Sequence, residues 1–187
     1  MSHNAQDTFR LKENIQTSLD NLLQEYTSRH SKVLPVRFDI RYPDDYHQVG
    51  DNIDISRCIA KTVQKLKRDG LDPKYIWVRE RESSNNQHYH CLILLNGHKS
   101  QNPHRVFSTV KQLWGSTIGA EPSGLIDHCT KSKNGTKHPN GIMLRKQDAD
   151  YEEKKEQVMK QISYLAKVQG KGEPLDKVRD FGMSRIK

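Results

Sequence analysis

Gln87–Asn96, QHYHCLILLN, is the most apolar run in a polar chain, and it opens with two histidines two residues apart. Strand side chains alternate between faces, so His88 and His90 share one face with Leu92 and Leu94. Tyr89, Cys91, Ile93 and Leu95 line the other. A strand apolar on both faces is covered on both, which makes this one central in its sheet. The preceding KYIWVRERE (residues 74–82) reads as a strand and SSNNQ as a turn, so the two strands form a hairpin.

The rest of the chain arranges itself around that hairpin. VLPVRFDIR (33–41) alternates, with Val36, Phe38 and Ile40 on one face, and predicts another strand. YPDDYHQVGDN is a loop. Ile55, Ile59, Val63 and Leu66 recur at helical spacing and Gly70 stops that helix. Pro103 opens a helix through Val106, Val110, Leu113 and Trp114. SGLIDH predicts a short strand, residues 128–147 a loop with a strand at GIMLR, and residues 149–169 a last long helix ended by Gly170. The tail KGEPLDKVRDFGMSRIK reads as mostly irregular. Ahead of all this, Leu11, Ile15, Leu19, Leu22 and Tyr26 predict an amphipathic helix over 7–29. The expected fold is α+β, an antiparallel sheet with helices on one side and the final helix elsewhere. The chain divides into an N-terminal amphipathic helix, 1–32, and one α+β domain, 33–187.

Of the 187 residues, 33% are hydrophobic and the formal net charge is +8. The excess lies after the first helix and suits a polyanion, with nucleic acid ahead of an acidic membrane surface. The N-terminus has no apolar signal core, and no run approaches a membrane span. Cys58, Cys91 and Cys129 are odd in number and unclustered, which fits reduced thiols of a cytoplasmic protein.

Two imidazoles ~7 Å apart on a rigid strand can grip one divalent ion. With nine histidines in the chain, such a pair also arises by chance, so the neighbouring strand matters. Glu80 and Glu82 have the matching parity, and either comes opposite the histidines in the hairpin. Glu80 is the first choice of third ligand and Glu82 the alternative, against a reading of RERE as a solvated charged edge. Two histidines and a carboxylate leave positions for oxygen ligands, as catalysis by Mg²⁺ or Mn²⁺ requires. No cysteine is spaced for a structural zinc site.

In KQISYLAKVQG, Tyr164 and Lys167 are helical neighbours at i and i+3. Tyr164 lies off the apolar stripe of Val158, Ile162 and Leu165. A tyrosine beside a lysine suits attack on a phosphate, because a cation favours the phenolate and offsets charge on phosphoryl oxygens. Tyr151 and Lys154 have the same spacing, but Asp148, Asp150, Glu152 and Glu153 surround them and would repel a phosphate. From His128 to Gln147 no acidic residue occurs. Lys131, Lys133, Lys137, Arg145 and Lys146 make that stretch the expected DNA-binding loop, with a solvated surface loop as the competing reading. His128 and His138 read as loop histidines, and Trp77 and Trp114 as core. An RNA-binding sheet would want exposed aromatics on its central strands, and only Tyr89 offers itself.

HYHCLILLN resembles the His-x-His motif of the HUH endonuclease superfamily, and YLAK resembles the Tyr-x-x-Lys motif of its single-tyrosine replication initiators. WVRERE followed by HYHCLILLNGH, with SYLAK and the terminal FGMSR, resembles more particularly the YagK/YfjJ C-terminal domain family, which includes inovirus-type replication initiators. The resemblance covers roughly residues 33–187. It implies an RRM-like or ferredoxin-like sheet, a divalent ion held by His88 and His90, and Tyr164 as the nucleophile with Lys167 beside it. It further implies nicking and rejoining of single-stranded DNA at an origin or hairpin through a 5′-phosphotyrosine, as in rolling-circle replication of a phage or integrated mobile element in a bacterial cell. A catalytically silent DNA-binding regulator and a single-tyrosine transposase share these motifs and are the alternatives. No P-loop signature is present, so for a replication initiator strand separation is expected of another protein, a host helicase.

Overall fold

In the computed structural model, described residues are 12–47, 50–80, 87–131, 134–167 and 178–186. Among these residues four helices, α1 (Glu13–Arg29), α2 (Ile53–Arg68), α3 (His104–Ile118) and α4 (Tyr151–Ile162), surround one sheet. Its strands are β1 (Lys32–Arg41), β2 (Lys74–Glu80), β3 (His88–Asn96), β4 (Ile126–Asp127), β5 (Leu144–Arg145) and β6 (Phe181–Met183). All pairings are antiparallel, in the order β4-β1-β3-β2-β6, with β5 against the start of β1. The histidine-bearing β3 is central, as its two apolar faces require.

The two faces bury different cores. Tyr89, Cys91, Ile93 and Leu95 of β3 join Val36, Phe38 and Ile40 of β1 and Trp77 of β2 beneath α2 and α3, with Trp114 fully buried. Leu92 and Leu94 join Ile76 and Val78 of β2 beneath α1 and α4. Helices therefore cover both faces, with α2 and α3 on one side and the final helix on the other, where the N-terminal helix joins it. In α1, Ile15, Leu19, Leu22, Leu23 and Tyr26 are at most 1% exposed. Burying each such side chain is worth roughly 1.5–3 kcal/mol, so this helix is bound into the fold.

Two expectations are corrected. The last helix does not run regularly to residue 169. It ends at Ile162, and Ser163–Ala166 tighten into a 3₁₀ turn. The tail is not simply irregular, because Phe181–Met183 add β6 to the edge of β2. Gly182 lies flat on Trp77, where a Cβ would come 2.6 Å from the indole ring. That close approach accounts for the glycine of FGMSR. The SSNNQ turn falls largely outside the described residues. Among those described, no helix is long and apolar enough to cross a membrane.

Candidate metal centre and nucleophile

The sheet register assembles the site. Glu80 of β2 pairs with His88 of β3, and Val78 pairs with His90, so the carboxylate sits beside one histidine and diagonal to the other. Glu80 Oε2 is 2.7 Å from His88 Nε2 and also bonds His90 Nε2. The three ligand atoms lie within 4.8 Å of one another. The His90 side chain is 5% exposed and that of His88 33%, so the cluster opens to solvent on the His88 side. Burial alone would raise the Glu80 carboxyl, but the bonds from His88 and His90 outweigh it and hold the group well below its ordinary range. Glu82 lies outside the described residues.

Asp39, which the sequence reading passes over, is the register partner of His90. Its Oδ1 lies 2.8 Å from His90 Nδ1, an ion contact without ideal hydrogen-bond alignment. His90 is thus held between two carboxylates. Burial opposes its charged form, yet Asp39 and Glu80 together raise its pKa. A carboxylate behind a histidine fixes the ring and its tautomer for metal ligation. Two imidazoles and a carboxylate converging on one point, with that support behind, fit a divalent ion.

Tyr164 stands on the 3₁₀ turn. Leu165 and Ala166 are buried in the second core, and the Lys12 N–H at the start of α1 donates to Ala166 O at 2.7 Å. With its neighbours anchored, Tyr164 turns outward over the polar end of the sheet, 37% exposed. Its ring stands edge-on to His90, with centroids 5.3 Å apart. Lys167 Nζ is 5.4 Å from the Tyr164 ring centroid, and the Arg37 guanidinium carbon is nearer, at 4.4 Å. Burial raises the phenol pKa, Glu80 and Asp39 act the same way, and Arg37 opposes them. Tyr151 is at the far end of α4, beside Lys155.

The expected basic loop is divided. Lys131 and Lys137 are exposed and face each other across an antiparallel bridge. Asn140 ties their loop to β1, accepting from Arg37 N at 3.1 Å and donating to Arg37 O and His128 O. Arg145 pairs with Lys32 at the opposite end of β1 from Asp39, and Lys146 reaches Ser28 O. Lys133 lies outside the described residues. His128 stacks on Phe107, with centroids 3.9 Å apart, and is not part of the triad.

The fold and site define an antiparallel α+β protein whose central strand carries a triad suited to a divalent metal, faced by a tyrosine. The chain belongs to the YagK/YfjJ C-terminal domain family, whose model matches residues 2–184 and so takes in α1. Among solved structures, it is similar to the catalytic domain of the adeno-associated virus type 5 Rep protein. The match has 13% identity and a TM-score of 0.32, and covers 71% of this chain and 98% of that one. No curated protein matches significantly.

Proposed function

We propose that this protein is an HUH-type DNA endonuclease and strand transferase, a replication initiator that nicks and rejoins single-stranded DNA through Tyr164. The observation that carries the reading is the Tyr164 ring set edge-on to His90 of the triad. His88, His90 and Glu80 would hold Mg²⁺ or Mn²⁺. Such an ion, when bound, supplies a Lewis acid for a phosphoryl oxygen.

The chain's own residues do the rest. The anchored 3₁₀ turn presents the Tyr164 hydroxyl. Its oxygen forms a bond to phosphorus as the bond to the 3′ oxygen breaks. The phenol proton is lost to solvent and the departing 3′ oxygen takes one up. A 5′-phosphotyrosine and a free 3′-hydroxyl result. The new linkage conserves the phosphodiester bond energy, so rejoining needs no ATP. Lys167 offsets phosphate charge, and Lys131, Lys133 and Lys137 draw the strand in. Arg145 and Lys146 would touch only more distant nucleotides. The setting is the cytoplasm of a bacterial cell, serving a phage or mobile element, with strand separation left to a host helicase.

The test is incubation with circular single-stranded DNA and Mn²⁺, followed by denaturing electrophoresis. A covalent protein–DNA band should form, vanish in excess EDTA, and be lost in Tyr164→Phe, His88→Ala and His90→Ala. It should survive in Tyr151→Phe. An adduct that persists in Tyr164→Phe, or that forms fully in EDTA, would overturn the mechanism.

A further inference from the structure

Arg37 is placed where a structural arginine has little reason to be. It belongs to β1, an interior strand, and shares the triad's face, since its register partner is Leu92 and that of Asp39 is His90. Its side chain is 17% exposed. A guanidinium keeps its charge and presents five donors in a planar fork, yet this one is poorly satisfied. Nη1 reaches Gln161 O only at 3.4 Å, Nη2 stands 3.6 Å from Asp39 Oδ2, and Nε is buried without a partner. An ion pair holding Arg37 for stability would be shorter and bidentate. Asp39 gives its other oxygen to His90. The guanidinium carbon also lies over the Tyr164 ring, 4.4 Å from its centroid.

A buried charge with unpaired donors is costly. A group with free acceptor oxygens, entering beside Tyr164, would offset part of that cost at the weakly engaged Nη donors. The charge balance asks for the same thing. Glu80 and Asp39 are both negative, and a divalent ion would only neutralise them. An incoming phosphodiester then needs one further cation, and Arg37 stands nearer the Tyr164 ring than Lys167 does.

We propose that Arg37 is the anion-binding residue of this site, and that its guanidinium holds a non-bridging oxygen of the nucleic-acid phosphodiester lying against Tyr164. The proposal rests on the nicking reading for where the phosphodiester lies, but it concerns binding and needs no cleavage.

Thymidylyl-(3′→5′)-thymidine has one phosphodiester and no terminal phosphate. Its methylphosphonate analogue has the same shape without the charge. NMR titrations of both, with Mg²⁺ present, should show the wild-type protein preferring the phosphodiester. Arg37→Gln should shrink that preference roughly tenfold, the scale of one charge-assisted hydrogen bond. Arg37→Lys, which keeps the charge but not the fork, should fall between. A Mg²⁺-dependent rise in melting temperature common to all three proteins checks that the triad is intact. If Arg37→Gln does not fold, Arg37→Lys decides: a preference equal to wild type overturns the proposal, a reduced one supports it. An undiminished preference in Arg37→Gln, or none in wild type, overturns it as well. The two readings separate cleanly. A protein that prefers the phosphodiester through Arg37 but forms no covalent adduct loses the nicking reading alone. Normal nicking by Arg37→Gln, with preference unchanged, removes the anion site alone.

Discussion

His90 has a carboxylate on each side, and the two have separable jobs. Glu80 converges with His88 and His90 on the candidate metal position, whereas Asp39 stands behind the ring at Nδ1. Asp39→Asn should therefore leave all three ligands in place and still lower Mn²⁺ affinity, by about 10–100-fold, as loss of an orienting carboxylate does. A Mn²⁺ titration followed by electron paramagnetic resonance reads this directly, and wild-type affinity in Asp39→Asn would remove that role. Glu80→Ala should cost more, because a ligand is lost. That His88 and His90 share a face with a glutamate of the neighbouring strand was legible in the sequence from alternation, though parity left Glu80 and Glu82 equally eligible and the register places Glu80 there. The support behind it was not. VRFDIR was read for its apolar face, Val36, Phe38 and Ile40, and the opposite parity was given no role. On an interior strand covered on both sides, Arg37 and Asp39 at those positions were the overlooked signal.

Among the elements, α1 and β6 are where local pattern and tertiary context part company. The helical spacing of α1 was plain, but nothing local showed that its start would bond Ala166 O and brace the turn bearing Tyr164. Leu19→Ala should cost about 2–5 kcal/mol, as truncation of a fully buried leucine does, measured by denaturant unfolding. A cost below 0.5 kcal/mol would mean that α1 packs loosely. The strand β6 has three residues, one of them glycine, too short for any periodicity to register. Its placement rests on fit against Trp77. Gly182→Ala should destabilise by roughly 1–3 kcal/mol through overpacking, and Trp77→Leu in the same chain should recover part of the loss. The end of α4 was misread for a related reason: helical spacing continues through SYLAK, and the tightening to a 3₁₀ turn follows from anchoring Leu165 and Ala166. The conclusion that Tyr164 points away from the apolar stripe stands, because those neighbours occupy the core.

For the molecule as a whole, the charge of +8 is unevenly useful. Lys131 and Lys137 belong to the loop fastened to β1 at Arg37, whereas Arg145 and Lys146 lie at the far end of that strand. Affinity for a single-stranded oligonucleotide should fall steeply with salt, about 0.7 in log–log slope for each phosphate neutralised. Replacing Lys131 and Lys137 by glutamine should flatten that slope by roughly one to two. Replacing Arg145 and Lys146 should flatten it less for an oligonucleotide only a few nucleotides long. Equal effects of the two pairs would mean that the strand does not track past Tyr164. The overall sheet was readable because its central hairpin is local in sequence. The assignment of helices to faces was not, since both faces are apolar and pattern alone does not say which helix covers which.

The separation of the triad from the tyrosine also sets an order of assembly. Glu80, His88 and His90 come together through adjacent antiparallel strands, a local event with little chain to close. Tyr164 reaches them only after α4 has docked and α1, from the other end of the chain, has gripped its turn. Contacts between distant parts of a chain form late. Under the proposed function, a newly made molecule would bring its three candidate ligands together before it could present Tyr164 to them, and cleavage would be reserved for the chain that has finished folding.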